Sequence, residues 1–313
     1  MKIIKYEKKY KEEWNKFVDN SKNGTFLLKR EYMEYHSDRF PDNSYIFLDE
    51  KEKMTAIIPG TIKDKIFYSH RGLTYGGIIQ DKNSKMIDIL EYFKLLNEEL
   101  KKKGIEKVIY KSIPYIYHNY PSEEDEYALF RLQAEIYSFG IASTIELDKK
   151  FKFNKSRKSC ISKARRFNLR IEKDGYFKEF WNILEKNLQC NHGTKPVHTL
   201  EEILYLKEKF PENIKLYTAF EENNLTAGVV VYVMKETVHI QYISADERGK
   251  EISALDFIFE YLIKEEFKDK KYFDFGTSVE NNGKTLNEGL IFQKEGFGAR
   301  GIVYKQYIYK IEE

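Results

Sequence analysis

The sequence predicts an α/β protein of two tandem lobes with mixed sheets, divided near residue 150 and related by internal duplication. Three observations predict it. The same order of helices and strands recurs in both halves of the 313 residues. Met54-Thr55-Ala56 and Leu225-Thr226-Ala227 occupy the equivalent hairpin of each half. Trp14 and Trp181 fall at comparable distances upstream of it. Coincidence among common α/β elements is the alternative, and an ordered match of several elements argues against it.

The first lobe, residues 1–150, opens with a helix over 12–20 that carries Trp14 and Phe17. Apolar runs at 44–48 and 54–59 read as a hairpin around a charged turn. The glycine-rich stretch His70-Arg71-Gly72-Leu73-Thr74-Tyr75-Gly76-Gly77 reads as a loop. A helix over 85–103 follows, stopped by Gly104, and then the strand 107–110. The second lobe, residues 151–313, repeats the order: a helix over 177–188, strands at 215–220, 225–231 and 239–244, a helix over 253–267, and the strand 272–275.

Composition narrows the function classes. A hydrophobic fraction of 42% with six prolines is that of a folded protein. The 53 basic and 50 acidic residues nearly cancel, so no general affinity for nucleic acid or membrane follows from net charge. Tyr and Phe are abundant, at 24 and 22, which fits crowded cores or an aromatic-lined groove. The N-terminus has no apolar leader and the longest apolar run, near 229–234, is too short for a bilayer, so a cytoplasmic location is expected. Two cysteines imply no disulfide framework. Cys190, His192 and His198 cluster without metal-ligand spacing, and no metal is expected. Gly283-Lys284-Thr285 lacks the upstream glycine of a phosphate loop, since Ser278 stands there. Neither a nucleophile elbow nor a dinucleotide fingerprint is present.

One local asymmetry stands out. Residues 151–170 carry eight basic side chains and no acidic one. A basic helix here, with Arg157, Lys158, Lys163, Arg165 and Arg166, is suited to the phosphates of a nucleotide-activated substrate or of RNA. A solvated joining helix paired with acidic neighbours is the other reading.

The segments Phe273-Asp274-Phe275-Gly276-Thr277-Ser278, Leu286-Asn287-Glu288-Gly289-Leu290 and Phe292-Gln293-Lys294-Glu295-Gly296-Phe297-Gly298 resemble the FemAB-like family. So does the basic helix leading into them. The resemblance implies two GNAT-like lobes, the first on the acceptor side. It also implies transfer of an aminoacyl or acyl group to an amine of an activated sugar, or of a polysaccharide or peptidoglycan precursor of the cell envelope. The donor it implies is aminoacyl-tRNA or an acyl-coenzyme A, with no tightly bound cofactor. Lys294 matches the family's lysine and is assigned to stabilising negative charge; Phe297 belongs to the same motif.

Asp274, ending an apolar strand, is placed to orient or deprotonate the amine, or else to form a turn. Ser278 and Asn287 are candidates to hold substrate, and Gln241 and Tyr242 sit on the strand expected beside the acyl site. In the first lobe His70, Arg71 and Tyr75 are candidates for an acceptor's anionic group and sugar, with Lys111 beside them. At Arg248-Gly249-Lys250-Glu251, Glu251 stands where the coenzyme A loop of ordinary GNAT enzymes has glycine, which tilts the donor away from coenzyme A. The alternatives are an acetyl-coenzyme A-dependent N-acetyltransferase of the same fold, and a non-catalytic module binding RNA or an anionic glycan.

Overall fold

The computed structural model describes residues 1–312; the side chains of Asn191 and His192 lie outside the described residues. The chain forms two compact units. One holds Met1–Ile141, Val279–Leu286 and the chain's end from Val303; the other holds Ala142–Ser278 and Asn287–Ile302. The division expected near residue 150 is thus replaced by an interleaved one. The chain returns to the first unit twice, the second time because its closing strand finds backbone partners there. Residues 306–310 of that strand pair antiparallel with 107–111.

Seven strands open the chain: β1 (Lys2–Lys5), β2 (Tyr45–Leu48), β3 (Met54–Ile58), β4 (Thr61–Lys63), β5 (Ile66–Tyr68), β6 (Ile79–Gln80) and β7 (Lys107–Lys111). The helices with them are α1 (Lys11–Asn20), α2 (Arg30–Glu34), α3 (Met86–Lys102) and α4 (Glu124–Arg131). The antiparallel sheet β1-β2-β3-β6 contains the expected hairpin. Its turn is built by the Asp49 carboxylate, which accepts from the amides of Lys51 and Lys53. Strands β4, β5 and β7 form a second layer with the closing strand. On α3, Ile89, Phe93, Leu96 and Leu100 recur at helical spacing and pack on Tyr45, Phe47 and Tyr110. Asp88 accepts from the Lys85 amide at the start of α3, and Gly104 at φ +70° ends it. Trp14 is fully buried, with its indole N–H donating to the Leu28 carbonyl.

In the second unit β8 (Glu135–Glu146) contributes its last residues. Strands β9 (Arg170–Lys173), β10 (Ile214–Glu221), β11 (Asn224–Val233), β12 (Thr237–Ala245) and β13 (Tyr272–Thr277) complete a sheet in the order β8-β13-β12-β11-β10-β9. Six helices belong here: α5 (Lys155–Ala164), α6 (Phe177–His192), α7 (Leu200–Lys209), α8 (Glu247–Ile252), α9 (Ala254–Tyr261) and α10 (Glu288–Glu295).

The run Val229-Val230-Val231 is apolar throughout because both faces of β11 are covered. Val229 and Val231 meet Ile258 and Phe259 of α9 and Ile161 of α5, while α6 packs on the same strand from elsewhere. The helix expected over 253–267 is present as α9 running on into the wider turn Leu262–Glu266, and Ser253 at φ +63° separates it from a short preceding helix, α8, that the sequence reading did not include. The crossover through these helices makes β12 and β13 parallel, and that pairing places the site below. Among the described residues no helix is long and apolar enough to cross a membrane.

Candidate active site

Three neighbouring strands bring three polar side chains into a row. Thr144 on β8 lies opposite Asp274 on β13 in the antiparallel register, and His239 on β12 lies opposite Asp274 in the parallel one. Directly paired residues on adjacent strands share a face, so the contacts follow from the register. Asp274 is completely buried. Its Oδ2 accepts from His239 Nδ1 at 2.8 Å, and its Oδ1 accepts from Thr144 Oγ1 at 2.8 Å and from the Gly276 amide at 3.1 Å. A carboxylate withdrawn from water is tolerable only when donors surround it in this way.

Just beyond Asp274 the pairing of β13 with β8 is interrupted, and Gly276 takes φ +72°. The bend turns the carbonyls of Gly276 and Thr277 inward, and Lys294 Nζ donates to both at 2.9 Å. Lys294 comes from the last turn of α10 and is 6% exposed. Burial lowers its ammonium to about 8, and the charge of Asp274 resists that shift. An ammonium has three N–H donors, and two are committed to these carbonyls. The third is available to negative charge at the same turn.

Asn287 fixes this helix: its side chain accepts from the Leu290 amide and its own amide donates to the Ser278 carbonyl. Asn287 is therefore a cap, in place of the substrate contact expected from sequence. Ser278 is 1% exposed and its hydroxyl has no protein partner, a vacancy in the polar accounting beside the lysine-bearing turn.

Gly276 supports a first prediction. Replacement by Ala forces a side chain into the left-handed region, and the added Cβ would stand 3.1 Å from the His239 ring. Gly276→Ala is expected to lower unfolding free energy by about 1–2 kcal/mol in urea titration, and to displace His239.

The remaining expected residues divide sharply. Tyr242 accepts or donates at 2.6 Å with His198 Nδ1 and packs edge-on to Trp181, and burial pushes its hydroxyl up to about 12. Gln241, its neighbour on β12, lies half-buried at the point where the β11–β12 register shifts. Phe297 is a core residue, stacked on Phe275 at 5.6 Å and fully buried, which removes it as a ligand contact.

On the basic helix, Arg157 is consumed by an ion pair with Asp256 at 2.7 Å and Arg165 reaches Glu260 at 2.8 Å. Lys158, Lys163 and Arg166 are exposed and have no carboxylate within ion-pair distance among the described residues. The anion-binding expectation therefore narrows to these three.

In the first unit, His70 is buried at φ +68°, and burial with neighbouring positive charge holds its imidazole well below its ordinary value. Tyr75 is a core residue that donates to Thr25 Oγ1 and packs against Tyr117. Lys111 Nζ donates to the carbonyls of Leu73 at 2.8 Å and Arg71 at 3.3 Å, and burial lowers it to about 8. All three shape the glycine-rich loop from within. Arg71, like Lys111, is half-buried, and its guanidinium lies over the rings of Phe40 and Tyr68.

Sequence reading missed His239 and Thr144. The signal for His239 was present, since a titratable side chain interrupts the apolar alternation Val238-His239-Ile240. The register that gives it a carboxylate partner was not.

No protein-family model and no curated protein matches this sequence. Solved structures do. Over 99% of this chain and 97% of its own, FemX superposes with a TM-score of 0.69 at 10% identity. L-PGS from Bacillus licheniformis matches over 95% of this chain and 90% of its own, with a TM-score of 0.58 at 17% identity. A tandem GNAT protein from the clavulanic acid biosynthesis pathway matches over 100% and 99%, with a TM-score of 0.51 at 8% identity. The chain has the FemAB-like twin GNAT fold.

Proposed function

We propose that the chain is an N-acyltransferase that moves an aminoacyl group onto an amine of an activated sugar or cell-envelope precursor. The observation that carries this reading is the buried Lys294 ammonium, held by two carbonyls at the turn that follows the Asp274–His239 pair. The fold of FemX and L-PGS supports it at the level of architecture.

The chemistry follows from these groups. His239, oriented by Asp274, takes the proton of the incoming ammonium and leaves a nucleophilic amine. The amine lone pair attacks the ester carbonyl of the donor. The third N–H of Lys294 stabilises the tetrahedral oxyanion that forms. Collapse breaks the C–O ester bond, the leaving alkoxide takes the proton held by the His239 imidazolium, and the freed imidazole accepts the extra proton of the attacking nitrogen, leaving an amide.

Aminoacyl-tRNA is the donor this reading favours. At α8, the turn where a coenzyme A pyrophosphate was considered, the Asp246 carboxylate already takes the Gly249 amide at 2.6 Å. Arg248 is bound to Glu221 and Glu251. An anion there would displace carboxylates from their donors.

Lys158, Lys163 and Arg166 supply exposed positive charge for the RNA backbone. Reversing all three to Glu is expected to weaken tRNA binding and to flatten its salt dependence. In filter binding across 50–200 mM salt, the slope of log K should lose roughly two to three units. An unchanged slope would remove the RNA contact from α5.

The function itself is tested by offering labelled aminoacyl-tRNA or acetyl-coenzyme A with amine-bearing envelope precursors. Label on an amide product from aminoacyl-tRNA supports the proposal. Label from acetyl-coenzyme A alone moves the chain to the acetyltransferase reading, and label from neither removes the enzymatic one.

A further inference from the structure

A concave surface lies in the first unit and shares no residue with the candidate active site. Between α3 and α4 is a cavity of about 460 Å³, within the size class of small-molecule sites. Its floor is apolar: Leu90 and Phe93 from α3, Ala128 and Leu132 from the α4 side, and Ile311 near the chain's end.

The rim is cationic. Lys94, Lys101, Arg131 and Lys310 line the cavity against two carboxylates, Glu98 and Glu312. Lys94 reaches Glu91 at 3.9 Å. Lys101, Arg131 and Lys310 have no carboxylate within ion-pair distance among the described residues. The chain as a whole is nearly balanced, so this local excess has no compositional cause. A second hollow of about 420 Å³ shares Leu132, Lys310 and Glu312 and adds Lys107 and Glu135. Because they share these lining residues, the two hollows adjoin as one trough.

We propose that this trough binds a monomeric single-chain amphiphile with an anionic head, the alkyl chain on the α3–α4 floor and the head against Arg131 and Lys310. Charge complementarity selects the anion, and the apolar floor selects the chain. A folded protein partner needs a broader face, about 800 Å² on each side, than a hollow of this size offers. The proposal is independent of acyl transfer, since none of its residues belongs to the site around Lys294.

Isothermal titration calorimetry of the full chain with dodecyl phosphate, below its micelle concentration, tests it. One-to-one binding is expected, with dodecyltrimethylammonium at least about tenfold weaker and inorganic phosphate without measurable heat. Affinity should rise several-fold per methylene from octyl to dodecyl phosphate, as burial of each CH₂ requires. Arg131→Glu combined with Lys310→Glu should weaken dodecyl phosphate about tenfold or more, with an unchanged circular dichroism melt.

Equal binding of the cationic amphiphile, affinity independent of chain length, or an unaffected charge-reversal variant would overturn the assignment. So would absence of binding by the monomer, including a result in which the chain sediments only with phosphatidylglycerol vesicles.

Discussion

Lys294→Ala is expected to lower kcat/KM for acyl transfer about 10²–10³-fold, the loss that accompanies removal of one charge-stabilising donor. KM for the donor should change little, because the interaction is made with an oxyanion absent from the ground state. Lys294→Met keeps the buried aliphatic stem and should be equally inactive, which separates lost charge from lost packing. A pH profile sharpens the assignment. Burial lowers the ammonium to about 8, so the rate of the native chain should fall as pH rises through that value. The falling limb should be missing from the residual activity of Lys294→Ala. A rate that rises through the same range would make Lys294 a base and overturn the electrostatic role.

Stability carries the same signature with a definite sign. Lys294 titrates lower in the folded chain than the ordinary 10.5. Between about 8 and 10.5 the unfolded chain therefore binds more protons, and stability rises with pH across that window. In Lys294→Met the rise should disappear. Urea titrations at pH 7.5 and pH 9.5 on both proteins read the difference directly.

Asp274→Asn is expected to cost about 10²–10⁴ in kcat, with the fold intact. The amide keeps an oxygen for Thr144 and the Gly276 amide, which donate to Oδ1. Its nitrogen then faces His239 Nδ1, where the carboxylate oxygen stood. A donor in that position forces Nδ1 to accept and moves the ring proton to Nε2, so the imidazole can no longer take a proton there. His239→Ala should cost a similar factor. The double variant should be no worse than either single one, because the pair acts as a unit. Native turnover in Asp274→Asn would leave the Asp274–His239 contact a purely architectural one. Asp274→Ala is the less informative change, since it strands three buried donors and lowers stability.

Much of the architecture was legible from local patterns. The stripe Ile89, Phe93, Leu96 and Leu100 marked α3, and its stop at Gly104 is where the helix ends. The apolar run through Val229 to Val231 marked a strand, and the structure covers both its faces. The signature at Asp274, Gly276 and Lys294 was also legible, and its members do converge on one turn. Several side chains singled out with them belong to other tasks. Phe297, named with the Lys294 motif, and Tyr75, named as a candidate for an acceptor's sugar, are core residues, because a ring beside glycine in sequence says nothing of what packs over it. Asn287 was chosen as a polar loop residue and caps α10. Arg157 lay in a run without acidic residues, and its partner Asp256 comes from a different helix.

The sequence by itself determined the alternation of helices and strands, the apolar faces that each must bury, and the lysine-bearing motif that ends at Gly298. Those properties are periodic or contiguous, so neighbours along the chain are enough to reveal them. Only the tertiary structure decided that His239 meets Asp274 and that Thr144 closes the row, that Lys294 loses water, and that the chain's end returns to the first unit. Each of these depends on strand register and on what covers a side chain. A one-residue shift in register reverses which face a side chain occupies, and burial is set by elements far away in sequence.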